Sequence, residues 1–173
     1  EGISIIPAAS GVESICSLDA NERTTLMQAI EDVAYEFDYL LIDTSAGIGS
    51  DVMYFNSASR EIVCVVNPEP TSLTDAYALI KILCSRYAEK TISVLVNNVR
   101  ANNVPAEKEA QLCFNRLAGA VERFLHIELK YLGFVPADGS VIEAVRSQRA
   151  LMEVYPSSPA GLAYASVARK IDA

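Results

Sequence analysis

The sequence has 173 residues, 51% of them hydrophobic and 21% charged, which suits one globular domain with a sizeable core and is too short for two full ones. Lys and Arg number 14 against 22 Asp and Glu, and the resulting net charge of −8 argues against a broad basic surface wrapped on nucleic acid. No apolar run approaches the ~18 to 20 residues needed to span a bilayer, and the opening EGISIIPAASG lacks the basic region of a signal peptide, so a cytoplasmic chain is expected.

Along the chain, short apolar runs alternate with stretches of helical period, the sequence form of repeated βαβ units. An α/β fold is expected, a mostly parallel sheet with helices on both faces. The first strand is read at 3–6. A helix follows over 23–37, with Leu26, Ile30, Val33, Ala34 and Phe37 on its inner face and Asn21 as its cap. Strands are read at 39–43 and 61–66, separated by a short helix that buries Val52 and Phe55. These runs are rich in Ile, Val and Leu, as strands buried on both faces should be.

After residue 66 the prolines of Asn67-Pro-Glu-Pro-Thr-Ser end the strand, and Ser72 with Asp75 has the spacing of a capping box. Leu73, Ala76, Tyr77, Ile80, Leu83, Cys84 and Tyr87 then line one helix face. A strand at 91–97 and a helix at 105–125 come next, the helix burying Ala110, Phe114, Leu117, Val121 and Phe124. A last strand at 130–135 precedes two helices, 140–148 and 159–171, the second opened by Ser158 as cap and Pro159 at the first helical position.

Cys16, Cys64, Cys84 and Cys113 lie far apart and His126 is the sole histidine, so the usual spacings assemble neither a zinc site nor a redox pair. Reduced, buried or half-buried thiols are expected. Glu69 and Asp75 read as cap residues, and Arg146 and Arg149 as solvated helix positions.

The stretch richest in chemistry is Tyr39-Leu-Leu-Ile-Asp43-Thr-Ser-Ala-Gly47-Ile-Gly49. An apolar strand delivers a carboxylate at its carboxyl end, where ligands bind in open α/β sheets. Small residues and two glycines follow, which let backbone approach an anion. A hydrophobic strand ending in Asp is how phosphate-transfer ATPases hold a water-bridged Mg²⁺.

Asp43-Thr-Ser-Ala-Gly47, Asn67-Pro-Glu-Pro-Thr-Ser, Leu95-Val-Asn97-Asn98 and Gly133-Phe-Val-Pro136-Ala-Asp138 stand in the order found in the MinD/ParA family of deviant P-loop ATPases, which the chain resembles over nearly its whole length. The run from Pro68 to Lys81, with Ala144-Val-Arg-Ser-Gln-Arg149 and Tyr155-Pro-Ser-Ser-Pro159, is most similar to its flagellar-number branch, FlhG/FleN. The resemblance implies a switch that binds ATP with Mg²⁺. Asp43 would hold the metal through water as the catalytic carboxylate, backbone near Gly47 would sense the γ-phosphate, Asn97 would recognise adenine, and Pro136 to Asp138 would line the other side of the base. Where the family carries Arg after the adenine-binding Asn, this sequence has Asn98, with Arg100 two residues later.

The family's K-G-G-x-G-K-[ST] loop does not occur in the sequence, whose eight glycines never cluster in that way. The resemblance therefore starts after the phosphate loop. It reads the chain as the C-terminal two-thirds of one ATPase domain, with roughly 90 residues ahead of it, and implies no tight ATP binding without them. It further implies an ATP-dependent homodimer, partners among a signal-recognition-type flagellar GTPase, a flagellar transcription activator and switch-complex proteins, and a peripheral place at the inner membrane for the parent. Membrane contact by the chain itself is not expected, since it ends at Lys170-Ile-Asp-Ala173 without a long basic amphipathic stretch. Two other readings stand beside this one: a non-catalytic protein-interaction module, and a partition-type ATPase that positions DNA.

Overall fold

The computed structural model describes residues 2–6, 19–86, 91–101 and 103–172. The chain forms two compact units, Glu1–Phe55 and Asn56–Ala173. Cys16 and Tyr87, and the loop position Asn102, lie outside the described residues.

In the first unit, helix α1 runs over Ala20–Ala34 and begins at a full capping box. The Asp19 carboxylate accepts the N–H of Asn21 at 2.7 Å and of Glu22 at 2.9 Å, and the Glu22 side chain accepts the N–H of Asp19 at 2.8 Å. Asp19, not Asn21, is the cap, because only it has a carboxylate partner three residues on to complete the box. The helix therefore lies about three residues earlier than its apolar spacing suggests, and Val33 and Phe37 are left exposed. Helix α2, Ser50–Ala58, buries Val52 and Met53, while Phe55 is half-buried.

Residues 3–6 and 39–43 form no strand and pair with no ladder among the described residues, and Ile3, Ile5 and Leu41 are 84%, 80% and 83% exposed. These two expected strands are corrected here. An apolar β-branched run favours extended backbone, but a strand exists only where a neighbour takes up its N–H and C=O groups.

The second unit carries the sheet. Strands β1 (Glu61–Val66), β2 (Thr91–Val99) and β3 (Lys130–Pro136) lie in that order, both pairings parallel. Helix α3 (Pro70–Arg86) connects β1 to β2, and α4 (Ala106–Leu125) connects β2 to β3, as parallel neighbours require. Helices α5 (Gly139–Arg146), α6 (Leu151–Val154) and α7 (Pro159–Ile171) complete the unit. Helix α3 packs on β1 and α4, α4 packs on β2 and β3, and α7 packs on β3.

Burial follows from this layering. β2, central in the sheet, buries Ile92, Val94, Leu95, Val96 and Val99, so both of its faces are covered. β1 alternates instead: Ile62, Cys64 and Val66 are buried, while Val63 and Val65 are 42% and 56% exposed. The expectation of burial on both faces holds for β2 and fails for β1, because within this unit α3 covers only one side of it. On the other side of the layer, Leu95, Leu132 and Val135 pack with Ala160 and Val167 of α7. Ile80 and Val94 have no exposed surface, and burying such side chains contributes about 1.5 to 3 kcal/mol each.

Helix α3 starts two residues before Ser72, with the Leu73 N–H bonded to the Glu69 carbonyl at 3.1 Å. The Ser72 hydroxyl accepts the Asn67 N–H at 3.0 Å, so it ties the strand end to the helix and forms no box with Asp75. At α7, Ser158 caps as expected, its hydroxyl accepting the Gly161 N–H at 3.1 Å.

Two glycines give a paired test of this packing. A Cβ at Gly161 would lie 2.6 Å from the backbone oxygens of Tyr155 and Pro156, whereas a Cβ at Gly119, on the exposed side of α4, would meet nothing within 4 Å. Gly161→Ala is expected to destabilise by about 1 to 3 kcal/mol and Gly119→Ala to stabilise by about 0.5 to 1 kcal/mol, read from urea unfolding midpoints.

Candidate functional site

Strands β1, β2 and β3 point the same way, so their carboxyl ends share one edge, the edge at which open α/β sheets bind ligands. Asn67 follows β1, Asn97 lies near the end of β2, and Pro136 ends β3 with Asp138 just beyond. The fold brings Asn97, Pro136 and Asp138 together there. Asp43 and Gly47 belong to the first unit.

The β2–β3 register changes where Asn97 sits. Val96 pairs with Phe134 and Val99 with Pro136, three steps on one strand against two on the other. The extra residue is a β-bulge, a device that redirects side chains at sheet ends. Asn98 takes it up with φ +53°, in the left-handed region. Asn enters that region at lower cost than Arg, because its short polar side chain can bond locally. Asn at this position is therefore matched to the backbone. Past the bulge the ladder resumes, and the Ala137 N–H donates to the Val99 carbonyl at 2.8 Å.

Asp138 is committed to the framework. One carboxylate oxygen accepts the Ser140 N–H at 2.9 Å and caps α5; the other accepts the Ala160 N–H at 2.9 Å at the start of α7. A single negative charge thus serves two helix N-termini, where the dipoles favour it. The Ala160 N–H, and after it the Ser140 N–H, hold the carboxyl below its ordinary value. With both oxygens engaged, what residues 136–138 can offer a ligand is the proline ring and backbone.

In the first unit, Asp43 ends the apolar run 39–43 and is exposed. Gly47 has φ +105°, a conformation that disfavours any side chain, and a Cβ at Gly47 or Gly49 would meet nothing within 4 Å. The loop ends at α2, whose first turn opens with the Met53 N–H bonded to the Gly49 carbonyl at 3.0 Å. Asp51 there pairs with Arg23 of α1 at 2.6 Å, and the Ser50 hydroxyl accepts from the same guanidinium at 3.0 Å. The sequence reading gave Arg23 no part in the site. Its only signal is a lone cation near the start of an otherwise acidic helix, and nothing in the spacing ties it to Asp51.

Cys64 and Cys113 are buried and Cys84 is half-buried, all three reduced. Burial pushes the Cys64 thiol up to about 11, and raises those of Cys84 and Cys113. Such thiols stay protonated near neutral pH and are poor metal ligands. Among the described residues no helix is long and apolar enough to cross a membrane.

The family model for ParA, described as NUBPL iron-transfer P-loop NTPase, matches residues 17–172. The chain belongs to the ParA/MinD family of P-loop NTPases. Antiactivator FleN of Pseudomonas aeruginosa is 42% identical over 171 residues, covering 99% of this chain and 59% of FleN. Flagellum site-determining protein YlxH of Helicobacter pylori is 32% identical over 157 residues, 90% of this chain and 51% of YlxH. The septum site-determining protein MinD of Pyrococcus horikoshii, solved in complex with Mg-ADP, shares the fold at a TM-score of 0.63 and 21% identity, over 90% of this chain and 61% of that one. The chain thus spans 59% and 51% of the two curated relatives. The ParA/MinD fold accounts for the parallel α/β sheet.

The twin-cap role of Asp138 has a pH signature. A carboxyl held low by folding stabilises the fold above its unfolded value, and that contribution is lost as pH falls through the folded one. Wild type should therefore lose stability below about pH 4, and Asp138→Asn should be less stable at neutral pH with a flatter acid limb, measured by thermal midpoints from pH 7 down to 3.

Proposed function

We propose that the protein of which this chain forms part is a nucleotide-dependent ParA/MinD-type ATPase that regulates flagellar number or placement. The observation that carries this reading is the 42% identity to the antiactivator FleN across 171 residues, reinforced by YlxH. The residues identified by motif in the sequence keep their proposed roles. Asp43 orients Mg²⁺ through water, backbone at Gly47 senses the γ-phosphate, Asn97 reads adenine, and the 136–138 segment lines the base.

The chemistry of these groups fits the proposed ligands. Mg²⁺ prefers hard oxygen donors and keeps several waters, and the exposed Asp43 carboxylate supplies one such donor without desolvation. When bound, the ion would neutralise phosphate charge. The amide of Asn97 offers both a donor and an acceptor, the pairing that adenine presents on its edge. The bulge frees that position from a regular ladder. Residues 45–49, glycine-containing and exposed, can follow a phosphate as it arrives or leaves.

On this reading the working unit is an ATP-dependent homodimer, and ordering of the loop by γ-phosphate and Mg²⁺ creates the surface that partners read. A flagellar GTPase, a transcription activator and switch-complex proteins are the partners proposed, with the protein cytoplasmic or peripheral at the inner membrane. Iron–sulfur carriage, which the family model's description raises, is less well supported, because Cys64 and Cys113 are buried thiols with raised pKa.

The full-length protein should hydrolyse ATP, and Asp43→Asn should lower Mg²⁺-dependent turnover by about 10- to 100-fold, as loss of a residue acting on a metal through an intervening ligand does. Asn97→Ala should weaken ATP binding and narrow the preference for ATP over GTP. Cells carrying Asp43→Asn should differ from wild type in flagella per cell by electron microscopy. Unchanged turnover in Asp43→Asn removes the metal role; an unchanged flagellar count in a deletion strain removes the biological one.

A further inference from the structure

We propose that Arg23 on α1 is a positioning residue for the 43–49 loop, acting by clamping the junction where that loop becomes α2. The inference rests on the loop's proposed role as phosphate sensor and adds the element that sets its downstream end.

The loop has little else to hold it. Residues 45–49 are exposed, Gly47 adopts φ +105°, and neither Gly47 nor Gly49 approaches any neighbour closely enough to be wedged. The first fixed point downstream is Ser50 and Asp51. Both are gripped by one guanidinium, through a hydrogen bond to the Ser50 hydroxyl at 3.0 Å and an ion pair to the Asp51 carboxylate at 2.6 Å. The same group lies 5.9 Å from the ring centre of Tyr54, one turn further along α2, within cation–π range.

Three features mark this as more than a surface ion pair. The two side chains are only 20% and 29% exposed, so solvent screens them less than an exposed pair. Arg23 reaches 27 residues along the chain, from the second turn of α1, which is itself fixed by the Asp19–Glu22 box. One buried donor is also left over: Asp51 Oδ1 is met by the guanidinium at 2.6 Å, whereas Arg23 Nε has no hydrogen bond among the described residues. A clamp with an unmet donor is less stable than a fully bonded one. The guanidinium fork therefore holds α2 where the Gly49 carbonyl can start the helix, and lets its first turn move when the loop is pulled.

The test uses the full-length protein and two readouts. Without nucleotide, Arg23→Ala should speed amide exchange at Met53 to Phe55 by about tenfold, the loss of one charge-assisted bond, while β2 and the second half of α1 keep their protection. Arg23→Lys, which keeps the charge but not the fork, should fall between. With ATP, Arg23→Ala should lower kcat by about the same factor and leave KM within about twofold, since an unseated sensor loop impairs the step after binding. Unchanged exchange at Met53 to Phe55, exchange that rises equally throughout α1, or an unaltered kcat overturns the proposal. Should the full-length wild-type protein show no ATP turnover, the sensor reading fails and the exchange readout alone decides the clamp.

Discussion

The second unit depends on the ladder that β2 makes with β1 on one side and β3 on the other. Parallel pairing requires each connection to cross the sheet, and this places α3 and α4 where they cover it and sends every loop that follows a strand to the same edge. Asn67, Asn97 and Asp138 share that edge although 30 and more residues separate them in sequence. Without the fully covered β2, whose Val94 and Val96 have no exposed surface, nothing would fix the distance between the strand ends.

The edge is then made rigid by polar groups. Ser72 ties the end of β1 to α3, the Ala137 N–H rejoins β3 to β2 beyond the bulge, and Asp138 ties β3 to α5 and α7 together. The loop after Asp43 is the opposite case. A Cβ at Gly47 or Gly49 would meet nothing within 4 Å, and a guanidinium grips the Ser50 and Asp51 side chains just downstream.

Much of this was legible in the residues. The apolar runs at 61–66, 91–97 and 130–135 lie within or close to the bounds of the observed strands, and the Ser158-Pro159 start of α7 was read correctly, because alternation and capping are local properties. The runs at 3–6 and 39–43 carry the same composition but form no ladder, since pairing depends on a second segment that a run cannot specify. The boundaries of α1 were misplaced because the Asp19–Glu22 box outweighed apolar spacing at a helix with a weakly buried face. The bulge at Asn97 and Asn98 left no mark in the hydrophobic pattern, although an Asn pair at a strand end agrees with it in hindsight. The reach of Arg23 to Asp51 was invisible, because the identity of a cation says nothing about which carboxylate the fold will bring to it.

The step in register between Val96 and Val99 has one more consequence, for how this stretch can change in evolution. Val96 and Val99 pair with Phe134 and Pro136, which stand two apart on β3, so both face the same side although three steps separate them. Removing a single residue at 97 or 98 would leave Val99 opposite Pro136 and would erase the bulge that sets the place of Asn97. Substitutions at these two positions alter only the local conformation and the chemistry displayed there, whereas a change in length removes the bulge itself. Lineages descending from this fold should therefore vary the letters at this point more freely than the spacing.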